Sequence, residues 1–303
     1  MIGKAIVIGA SGYVGQRLLH RLGERGHGTY ASRPKEGLAH FVAMTESAAS
    51  LIERVGAEVS HVFVPYGAID PERCARDPAG TMAVNIVSVV RLLEDVLSAG
   101  AVPVFFSTDY VFDGVRGGYS EDDEAVPRTS YGVQKRAVEL WLGTIAKPWL
   151  TVRLSKVVGL ETDTHSVIGQ WVSDIKAGKP QRCATDQVFC PAWVDDIARA
   201  LVDLCDRRAT GVWHVAGHEA FSRHDLLAML IEEIRKVEPS IHVDLTPCSL
   251  HDLPFLEKRP LNTSMVVDRL GAALDWRFRT MRDLCREAAQ RHFSPGPAHG
   301  ETR

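Results

Sequence analysis

Three glycines at intervals of three residues join the first predicted strand to the first predicted helix. The strand is an apolar run from Ala5 to Ile8, and the helix is indicated by Val14, Leu18 and Leu22, which recur at helical spacing. Between them lies Gly9-Ala-Ser-Gly-Tyr-Val-Gly15. A glycine triplet in this position constrains the fold strongly, because it is typical of the turn that opens a βαβ unit.

Each glycine of this triplet has a physical use at a phosphate site. One permits the tight turn, one lets the backbone approach a pyrophosphate, and one lets the helix pack closely on the strand. The helix N-terminus supplies N–H groups and the positive end of the helix dipole. The motif therefore predicts dinucleotide binding, and an incidental glycine-rich turn is the alternative. The expected contacts are Gly9, Ser11, Gly12, Tyr13, Val14 and Gly15.

Strand-like runs alternate with helical patterns through the first half of the chain. The further predicted strands are Gly28–Ser32, His61–Val64, Val102–Phe106 and Leu150–Leu154, with a less regular one near His40–Ala43. A single long helix is expected before the strand at 102–106. Such alternation requires right-handed crossovers, and it predicts an α/β fold with a doubly wound parallel sheet of the Rossmann type.

The second half of the chain is less regular. The pattern predicts a loop over Gln181–Ala192, a helix over Val194–Leu204, and a further helix that starts at Ser222 with Asp225 in its first turn. We expect a Rossmann domain at 1–158 plus about 182–217. A smaller, discontinuous α/β substrate-binding domain is expected at 159–181 and 218–292, followed by a flexible tail at 293–303.

Composition excludes several classes of protein. The 303 residues carry a net charge of −3, with 45% hydrophobic and 24% charged residues, so no nucleic-acid or anionic-membrane binding is expected. No apolar run approaches the roughly 18 residues of a membrane span, and the N-terminus runs directly into a strand rather than a signal peptide. The six cysteines form no C-x-x-C pair. We expect reduced thiols in a cytoplasmic protein.

The residues that follow the second strand select between nicotinamide cofactors. An acidic side chain there would hydrogen-bond the ribose hydroxyls of NAD. Here the sequence is Ser32-Arg-Pro-Lys35, and the first carboxylate is Glu36. The guanidinium of Arg33 suits a ribose 2′-phosphate. We therefore expect NADP(H), and a solvated loop charge is the alternative for Arg33.

A tyrosine and a lysine four residues apart suggest acid–base chemistry. Tyr131 and Lys135 share one face of a predicted helix. A phenol needs a positive neighbour to work near neutral pH, since its reference pKa is about 10. Thr108 ends the preceding strand, and ligands of open parallel sheets bind at that edge. We expect Thr108 to hydrogen-bond a reacting carbonyl oxygen, with Lys135 also reaching a nicotinamide ribose.

Several motifs together carry a family resemblance. They are Ser107-Thr-Asp-Tyr-Val-Phe-Asp-Gly114, Tyr131-Gly-Val-Gln-Lys135, the glycine loop, Arg259-Pro-Leu-Asn262, Asp186-Gln187 and Pro191-Ala-Trp-Val-Asp-Asp196. In these the chain resembles the dTDP-4-dehydrorhamnose reductase family, which belongs to the extended short-chain dehydrogenase/reductases. The likeness runs from about residue 3 to residue 290.

The resemblance implies reduction of a 4-keto-6-deoxysugar nucleotide with NADPH. Tyr131 would protonate the alkoxide, Lys135 would depress the pKa of Tyr131, and Thr108 would orient the carbonyl. Asn85 lies where relatives carry an asparagine near the active site, with a helix-surface amide as the alternative. The expected substrate contacts are Asp109, Tyr110, Val111, Trp193, Arg259 and Asn262.

Some of these assignments have structural alternatives. Arg259 suits a diphosphate as a bidentate donor, but a salt bridge between loop and helix is the other interpretation. Trp193 and the other tryptophans are also expected in cores. Many relatives dimerise, and a homodimer is among the states that the sequence leaves open.

The chain departs from the family at two places. Val64-Pro-Tyr-Gly67 replaces an Asn-Ala-Ala-Ala-like run, and Ser166-Val167 replaces an asparagine–phenylalanine pair. We expect Pro65 and Tyr66 to contact the cofactor and Tyr66 to narrow the site. These departures leave the identity of the sugar open.

Three other functions are weighed against this one. An epimerase or dehydratase of the same superfamily is an alternative, since Asp109 follows Thr108, although the glutamate partner of a dehydratase is missing. A non-catalytic regulatory subunit resembling that of methionine adenosyltransferase is a second. A metal site is not expected, because His214 and His218 should diverge and have no third ligand. We expect His214 to be a satisfied core residue.

Overall fold

The computed structural model describes residues 2–56, 59–162 and 166–294. Its strands are β1 (Lys4–Val7), β2 (Gly26–Tyr30), β3 (Ala39–His40), β4 (Val59–Val64), β5 (Val102–Thr108), β6 (Leu150–Leu154), β7 (Val157–Val158), β8 (Gln181–Ala184), β9 (Val188–Phe189), β10 (Ala192–Trp193), β11 (Gly211–Val215), β12 (Phe221–Ser222) and β13 (Leu245–Cys248). The predicted tail lies outside the described residues beyond Ser294.

The helices surround these strands. They are α1 (Tyr13–Leu22), α2 (Ala48–Val55), α3 (Pro71–Arg76), α4 (Pro78–Met82), α5 (Val89–Ser98), α6 (Ser130–Gly143), α7 (Val167–Lys176), α8 (Val194–Asp206), α9 (Arg223–Val237), α10 (Asp268–Ala273) and α11 (Met281–Phe293). In the described residues, none of them is long and apolar enough to cross a membrane.

Seven parallel strands of the described chain form the central sheet, in the order β11-β6-β5-β4-β1-β2-β3. The order reverses between β1 and β4, and in such sheets ligands bind outside the carboxyl ends of the strands at this point. The predicted Rossmann-type α/β fold is confirmed. The strand predicted near 40–43 is a two-residue strand at 39–40.

Apolar side chains cover both faces of the sheet. On one face α1 and α8 pack together through residues such as Leu18 and Leu201, and on the other α2, α5 and α6 contribute residues such as Leu51, Leu92 and Leu142. All but Leu51 of these five side chains are inaccessible to solvent, and Leu51 nearly so. The sheet is therefore buried on both faces, as its apolar strands predict.

A further core lies between α7, α9 and α11. It includes Ile168, Leu227 and Leu284, and Cys183 and Phe189 from β8 and β9 pack into it. The prediction of a loop over Gln181–Ala192 is wrong, because β8 pairs with β13 and β9 pairs with β12. We propose that this core defines the substrate-binding domain and that the domain includes residues 181–189 in addition to the predicted segments.

The helix that precedes β5 is interrupted. A π-helical segment, Ala83–Ser88, separates α4 from α5 where one continuous helix was expected. The Asn85 side chain turns inward here and is completely buried. Its Oδ1 accepts from the Ala68 amide at 2.7 Å and its Nδ2 donates to the Ala68 carbonyl at 2.9 Å. Single π turns are frequent at functional sites, where they redirect one side chain.

Candidate active site

The glycine loop forms a cradle at the carboxyl end of β1. Gly9 has φ +92°, a conformation that L side chains rarely adopt, and its carbonyl accepts from the Gly12 amide at 3.0 Å. A Cβ at Gly15 would lie 2.5 Å from the Gly9 carbonyl oxygen. Only glycine lets α1 approach β1 this closely. The loop and the N-terminus of α1 therefore fit the pyrophosphate of a dinucleotide.

The side chains within this loop have other partners. The Tyr13 hydroxyl donates to Glu161 at 2.9 Å, and Arg17 forms an ion pair with the same carboxylate. Val14 packs on the core, and the Ser11 carbonyl accepts from Gln16 at 2.8 Å. Because the Tyr13 and Val14 side chains are engaged elsewhere, we propose that the backbone of the loop is the part that binds phosphate.

Basic residues follow β2, as the sequence predicts. Arg33 lies exposed in the bend after this strand. Lys35 also lies there, and its Nζ donates to the Gln16 side chain on α1 at 2.6 Å. The edge of the cradle is therefore cationic at the place where a dinucleotide's second ribose lies in this fold.

Thr108 ends β5 and is nine-tenths buried. Its hydroxyl donates to Asp109 Oδ1 at 3.0 Å and accepts from the Tyr110 amide at 3.2 Å. The other oxygen of Asp109 accepts from Ser155 at 3.3 Å and from Thr263 at 2.8 Å. Burial raises the pKa of Asp109 above its ordinary value, although these hydroxyl groups act in the opposite direction.

Tyr131 lies in the first turn of α6, which the Thr129 hydroxyl caps by accepting from the Gly132 amide at 3.2 Å. Burial raises the pKa of the Tyr131 phenol above its usual value, and the carboxyl of Asp109 adds to the effect. The expected depression of this pKa is therefore wrong for the chain as described. Desolvation is the largest cause, and the opposing hydrogen bond from Thr108 does not offset it.

Lys135 lies one turn along α6 and is 2% exposed. Its Nζ donates to the Phe106 carbonyl at 2.9 Å and lies 6.0 Å from the centre of the Tyr131 ring. Burial lowers the pKa of Lys135 to about 8, against the opposing fields of Cys74 and Glu139. A Cβ at Gly67 would lie 3.6 Å from this ammonium group. The amine therefore faces the end of β4, next to the glycine cradle.

Asn85 is linked to the helix that carries Lys135 by a hydrogen bond to Gln134. Its Nδ2 also donates to Gln134 Oε1 at 2.7 Å, and Gln134 donates in turn to Thr81 at 2.9 Å. Gln134 is the residue next to Lys135 on α6. The alternative of a helix-surface amide for Asn85 is excluded by its burial.

The comparisons with known proteins agree with this geometry. The family model described as RmlD substrate binding domain matches residues 3–293. The chain belongs to the dTDP-4-dehydrorhamnose reductase family. The family resemblance in the sequence motifs is thus confirmed.

Two relatives match over nearly their whole length. The "Probable low-salt glycan biosynthesis reductase Agl14" of Haloferax volcanii is 31% identical, over 89% of this chain and 93% of its own. A dTDP-4-dehydrorhamnose reductase of Burkholderia thailandensis is 27% identical, over 93% and 99%. Methionine adenosyltransferase 2 subunit beta of Xenopus tropicalis is more distant, at 22% over 79% and 74%.

A solved structure shares the fold. It is the dTDP-4-dehydrorhamnose reductase of Bacillus anthracis in complex with NADP, with a TM-score of 0.77 and 18% identity, over 97% of this chain and 99% of that one.

In this member of the dTDP-4-dehydrorhamnose reductase family, Arg259 contacts Tyr110 beyond the carboxyl end of β5. The Arg259 guanidinium pairs with Glu72 of α3 at 3.1 Å and stacks 3.6 Å above the Phe255 ring. It also lowers the pKa of the Tyr110 phenol, although burial and Asp109 raise that pKa overall. The loop–helix salt bridge is therefore present, and it does not remove Arg259 from the cleft.

A cavity of about 590 Å³ opens beside Arg259, between the loops at 113–115 and 257–262. Asn262 lines it, but its Oδ1 accepts from the Ser264 amide at 3.1 Å and from the Ser264 hydroxyl at 2.7 Å. A Cβ at Gly117 would lie 2.2 Å from the Asn262 Nδ2. Asn262 therefore stabilises the conformation of this loop through its contacts with Ser264 and Gly117.

Two other predicted substrate contacts, Val111 and Trp193, have different surroundings. The Val111 side chain is fully buried in a small core with Phe112 and Tyr119, which leaves it no route to a substrate. Trp193 stacks 3.7 Å below the Arg279 guanidinium at the start of α8.

Pro65 and Tyr66 follow β4. The Tyr66 backbone lies beside Gly9, while its ring packs on the core and its hydroxyl accepts from Ser88 at 3.4 Å. The expected narrowing of the site by Tyr66 is thus not seen in this conformation, because the ring turns toward α5.

Sequence reasoning missed two cations, Lys156 near Asp109 and Arg223 near Tyr110. Lys156 follows the end of β6, and Arg223 opens α9. Arg223 is the largest charged influence on Lys156, followed by Asp109 and Arg259. The position of Lys156, just past a strand end of a parallel sheet, was the available signal. Arg223 could not be found in this way, since it comes from the other core.

His214 lies in the core of the protein. His214 is completely buried, with Nδ1 3.0 Å from the Val266 carbonyl and Nε2 3.4 Å from Arg153, so its core assignment is confirmed. Within the ranges that the structure describes, no group of three potential ligands is placed to hold a metal ion.

Proposed function

We propose that this chain reduces the keto group of a 4-keto-6-deoxysugar nucleotide with NADPH. The convergence of Thr108, Tyr131 and Lys135 at the carboxyl end of β5, beside the glycine cradle, carries the proposal. Membership of the dTDP-4-dehydrorhamnose reductase family supports an oxidoreductase that acts on nucleotide sugars.

The chain's own residues fit NADPH. The backbone of Gly9–Gly15 would hold the pyrophosphate, and the exposed Arg33 would face the ribose 2′-phosphate. Lys135 of α6, whose amine faces the end of β4, would reach the nicotinamide ribose. The relative from Bacillus anthracis was solved in complex with NADP. When bound, NADPH supplies a hydride to the ketone carbon.

Tyr131 would donate the proton that completes the reduction. A reduction requires the neutral phenol, and the raised pKa keeps Tyr131 protonated at neutral pH. The phenol proton passes to the carbonyl oxygen as the C–H bond forms, and the phenolate regains a proton from solvent. Thr108 would fix the carbonyl oxygen by a hydrogen bond, which requires its hydroxyl to turn away from Asp109.

Lys135 would stabilise the charge left on Tyr131. Its ammonium group is held by the Phe106 carbonyl and is the cation nearest to the phenol ring on the same helix face. An ammonium near a transient phenolate is most effective in a site that excludes water. Lys135 is buried in such a place.

Turnover of the purified protein tests this proposal directly. NADPH absorbance should fall when a 4-keto-6-deoxyhexose nucleotide is added, and NADH should serve less well. Tyr131→Phe should lower kcat by about 10²–10⁴-fold, which is the usual contribution of a general acid. The matched control is Tyr119→Phe, which removes a hydroxyl bound to Asp113 and should retain turnover.

Other results would support the alternatives. An epimerase would convert a sugar nucleotide without net NADPH consumption. A regulatory subunit, the alternative suggested by the likeness to methionine adenosyltransferase 2 subunit beta, would bind NADP(H) and reduce none of the ketosugars. Consumption of NADPH that is unchanged in Tyr131→Phe would contradict the proposed role of the phenol.

A further inference from the structure

Three cationic side chains lie near one another beside Asp109 and Tyr110. Lys156 lies just beyond β6, Arg223 begins α9, and Arg259 belongs to the loop before Pro260. Desolvation in the cleft lowers the pKa of Lys156 to about 8, with Arg223 and Arg259 contributing and Asp109 opposing, although part of the side chain is open to solvent. Burial also lowers the pKa of Arg223, and Arg259 adds to that effect. The chain also brings their neighbours together: Ser222 pairs with Val188, which bridges to Asn262, and Ser155 and Thr263 both donate to the Asp109 carboxyl group. The three charges are therefore close enough to repel one another.

Only one of the three has a carboxylate partner. Arg259 pairs with Glu72. In residues 2–56, 59–162 and 166–294, no ion pair joins Lys156 or Arg223 to a carboxylate. Arg223 instead contacts the Cys183 thiol and lies 5.2 Å from the Trp171 ring. Asp109 is near Lys156, but burial raises its pKa and weakens it as a counter-charge.

This unbalanced charge lies next to the reacting centre. Leu154 pairs in register with Thr108, so Lys156 comes two residues beyond the level of Thr108 on the neighbouring strand. The Tyr110 phenol lies within the field of Arg223 and Arg259, and its ring is 6.2 Å from that of Tyr131. Solvent reaches the Lys156 side chain. A ligand that contacts Tyr131 can therefore extend to these cations.

We propose that Lys156, Arg223 and Arg259 form a clamp for the diphosphate of the sugar nucleotide. This assignment rests on the proposed function. Two uncompensated cations match the two negative charges of a diphosphate that is esterified at both ends. A single carboxylate on the sugar would leave one of them uncompensated. Arginine adds bidentate geometry, and lysine acts as a point charge.

The clamp also explains how substrate binding would serve the reaction. It fixes the substrate at a point removed from the ketone, and Tyr110 spans the space between the clamp and Tyr131. Binding energy from a non-reacting group can then orient the keto carbon for attack. The repulsion between Lys156 and Arg223 in the empty cleft is relieved by the anion, so that charge complementarity favours the bound state.

Binding of nucleoside diphosphates to the full chain tests the clamp without turnover. Isothermal titration with dTDP and UDP is compared for the wild type, Lys156→Met and Arg223→Met. Each variant should bind the diphosphates about 10–100-fold more weakly, the range for losing hydrogen bonds to a charged group. Affinity for NADPH should stay within about twofold. Lys236→Met, which removes an exposed cation on α9, is the matched control and should bind as the wild type does.

Several results would overturn the clamp. One is unchanged affinity for dTDP and UDP in both variants. Another is an equal loss of affinity for thymidine and uridine, which carry no phosphate. A third is a loss confined to nucleotides whose sugar bears a carboxylate, which would place the cations on the sugar. Since Arg223→Met could unfold the second core, Arg223→Lys is measured too and should recover part of the affinity.

The same measurements separate the clamp from the proposed function. Tyr131→Phe should keep the diphosphate affinity of the wild type while losing turnover. A protein that reduces no ketosugar but binds dTDP through Lys156 and Arg223 would contradict the proposed reaction and leave the clamp standing. Turnover with unchanged KM in both variants would contradict the clamp alone.

Discussion

The hydroxyl of Thr108 donates a hydrogen bond of 3.0 Å to the carboxyl group of Asp109. Ser155 and Thr263 donate to the other oxygen of the same carboxyl group. These contacts join the ends of β5 and β6 to the loop after Arg259. Before a substrate binds, the candidate carbonyl-binding hydroxyl is thus held in place by a buried carboxyl group that is anchored from two distant parts of the chain, and it exchanges this hydrogen bond for one to the carbonyl oxygen.

Replacement of this carboxyl group should disturb catalysis. In Asp109→Asn only the amide oxygen can accept a hydrogen bond, because the amide nitrogen is a donor. At least one of the three hydroxyl groups is therefore left without its acceptor. We expect kcat to fall by about 10–100-fold, because an unsatisfied buried group costs about 1–3 kcal/mol. Steady-state NADPH oxidation measures this. Asp122→Asn, in an exposed loop, is the control, and equal activity of both variants would show that Asp109 does not orient Thr108.

The reaction rate should depend on pH through Lys135. Its pKa is lowered to about 8, so its positive charge is lost as the pH rises through 8. We expect kcat/KM to fall above that pH. Lys135→Arg carries a charge that does not titrate in this range, and any activity that it retains should show no fall near pH 8. A profile for the arginine variant that matches the wild type would assign the titration to another group.

Loss of activity at high pH should not reflect unfolding caused by Lys135. Because its folded pKa lies below the unfolded value of 10.5, the unfolded chain binds more protons between about pH 8 and 10.5. The contribution of Lys135 to the free energy of unfolding therefore rises with pH in this window. Circular dichroism melts measure this. Between pH 8 and pH 10.5 the stability of the wild type should rise relative to that of Lys135→Met. A relative fall would contradict the buried, desolvated state of the amine.

Much of the fold could be predicted because its signals are local. The apolar run at Ala5–Ile8 and the glycine spacing from Gly9 to Gly15 each act within one βα unit, and the repeated alternation fixes a parallel sheet. The short strands β8, β9 and β10 were missed for the opposite reason. Segments of two to four residues have too little sequence to show a period, and their pairing partners lie far along the chain.

The same distinction applies to the site. Tyr131 and Lys135 could be found because they are four residues apart on one helix. Asn85, in the interrupted helix, makes hydrogen bonds to Ala68, which is distant in sequence. Lys156 is proposed as a ligand contact only because the fold places it near Arg223. Such contacts join elements that sequence spacing does not relate. The motif also could not show that burial would raise the pKa of Tyr131.

A buried ion pair beneath the site should be essential to stability. Arg153 of β6 donates to both oxygens of Glu139 at 3.0 and 2.8 Å, and Ser107 donates to the same carboxylate at 2.6 Å. Both charged side chains are almost completely buried. Glu139→Gln would leave Arg153 without a counter-charge, and we expect a loss of about 3–5 kcal/mol in the free energy of unfolding.

Urea denaturation followed by circular dichroism would measure this loss. Glu232→Gln is the matched control, because Glu232 forms exposed ion pairs with Lys236 and Arg282. Exposed pairs of this kind contribute little, and the urea midpoint should not move. Similar midpoints for the two variants would mean that solvent or a rearranged side chain compensates Arg153.

The glycine cradle gives the most direct test of cofactor binding. In Gly15→Ala the new methyl group would lie 2.5 Å from the Gly9 carbonyl oxygen and 2.9 Å from the Ala10 Cα. Both obstacles are backbone atoms, so α1 must move away from β1 and take its N-terminal amides with it. We expect affinity for NADPH to fall by at least about tenfold, since a shift of about 1 Å in a positioned group costs that much or more. Gly143→Ala, where the methyl group meets nothing within 4 Å, should bind NADPH normally and be no less stable, because alanine favours a helix over glycine. Fluorescence titration with NADPH compares the two variants, and equal affinities would place the pyrophosphate elsewhere than at this loop.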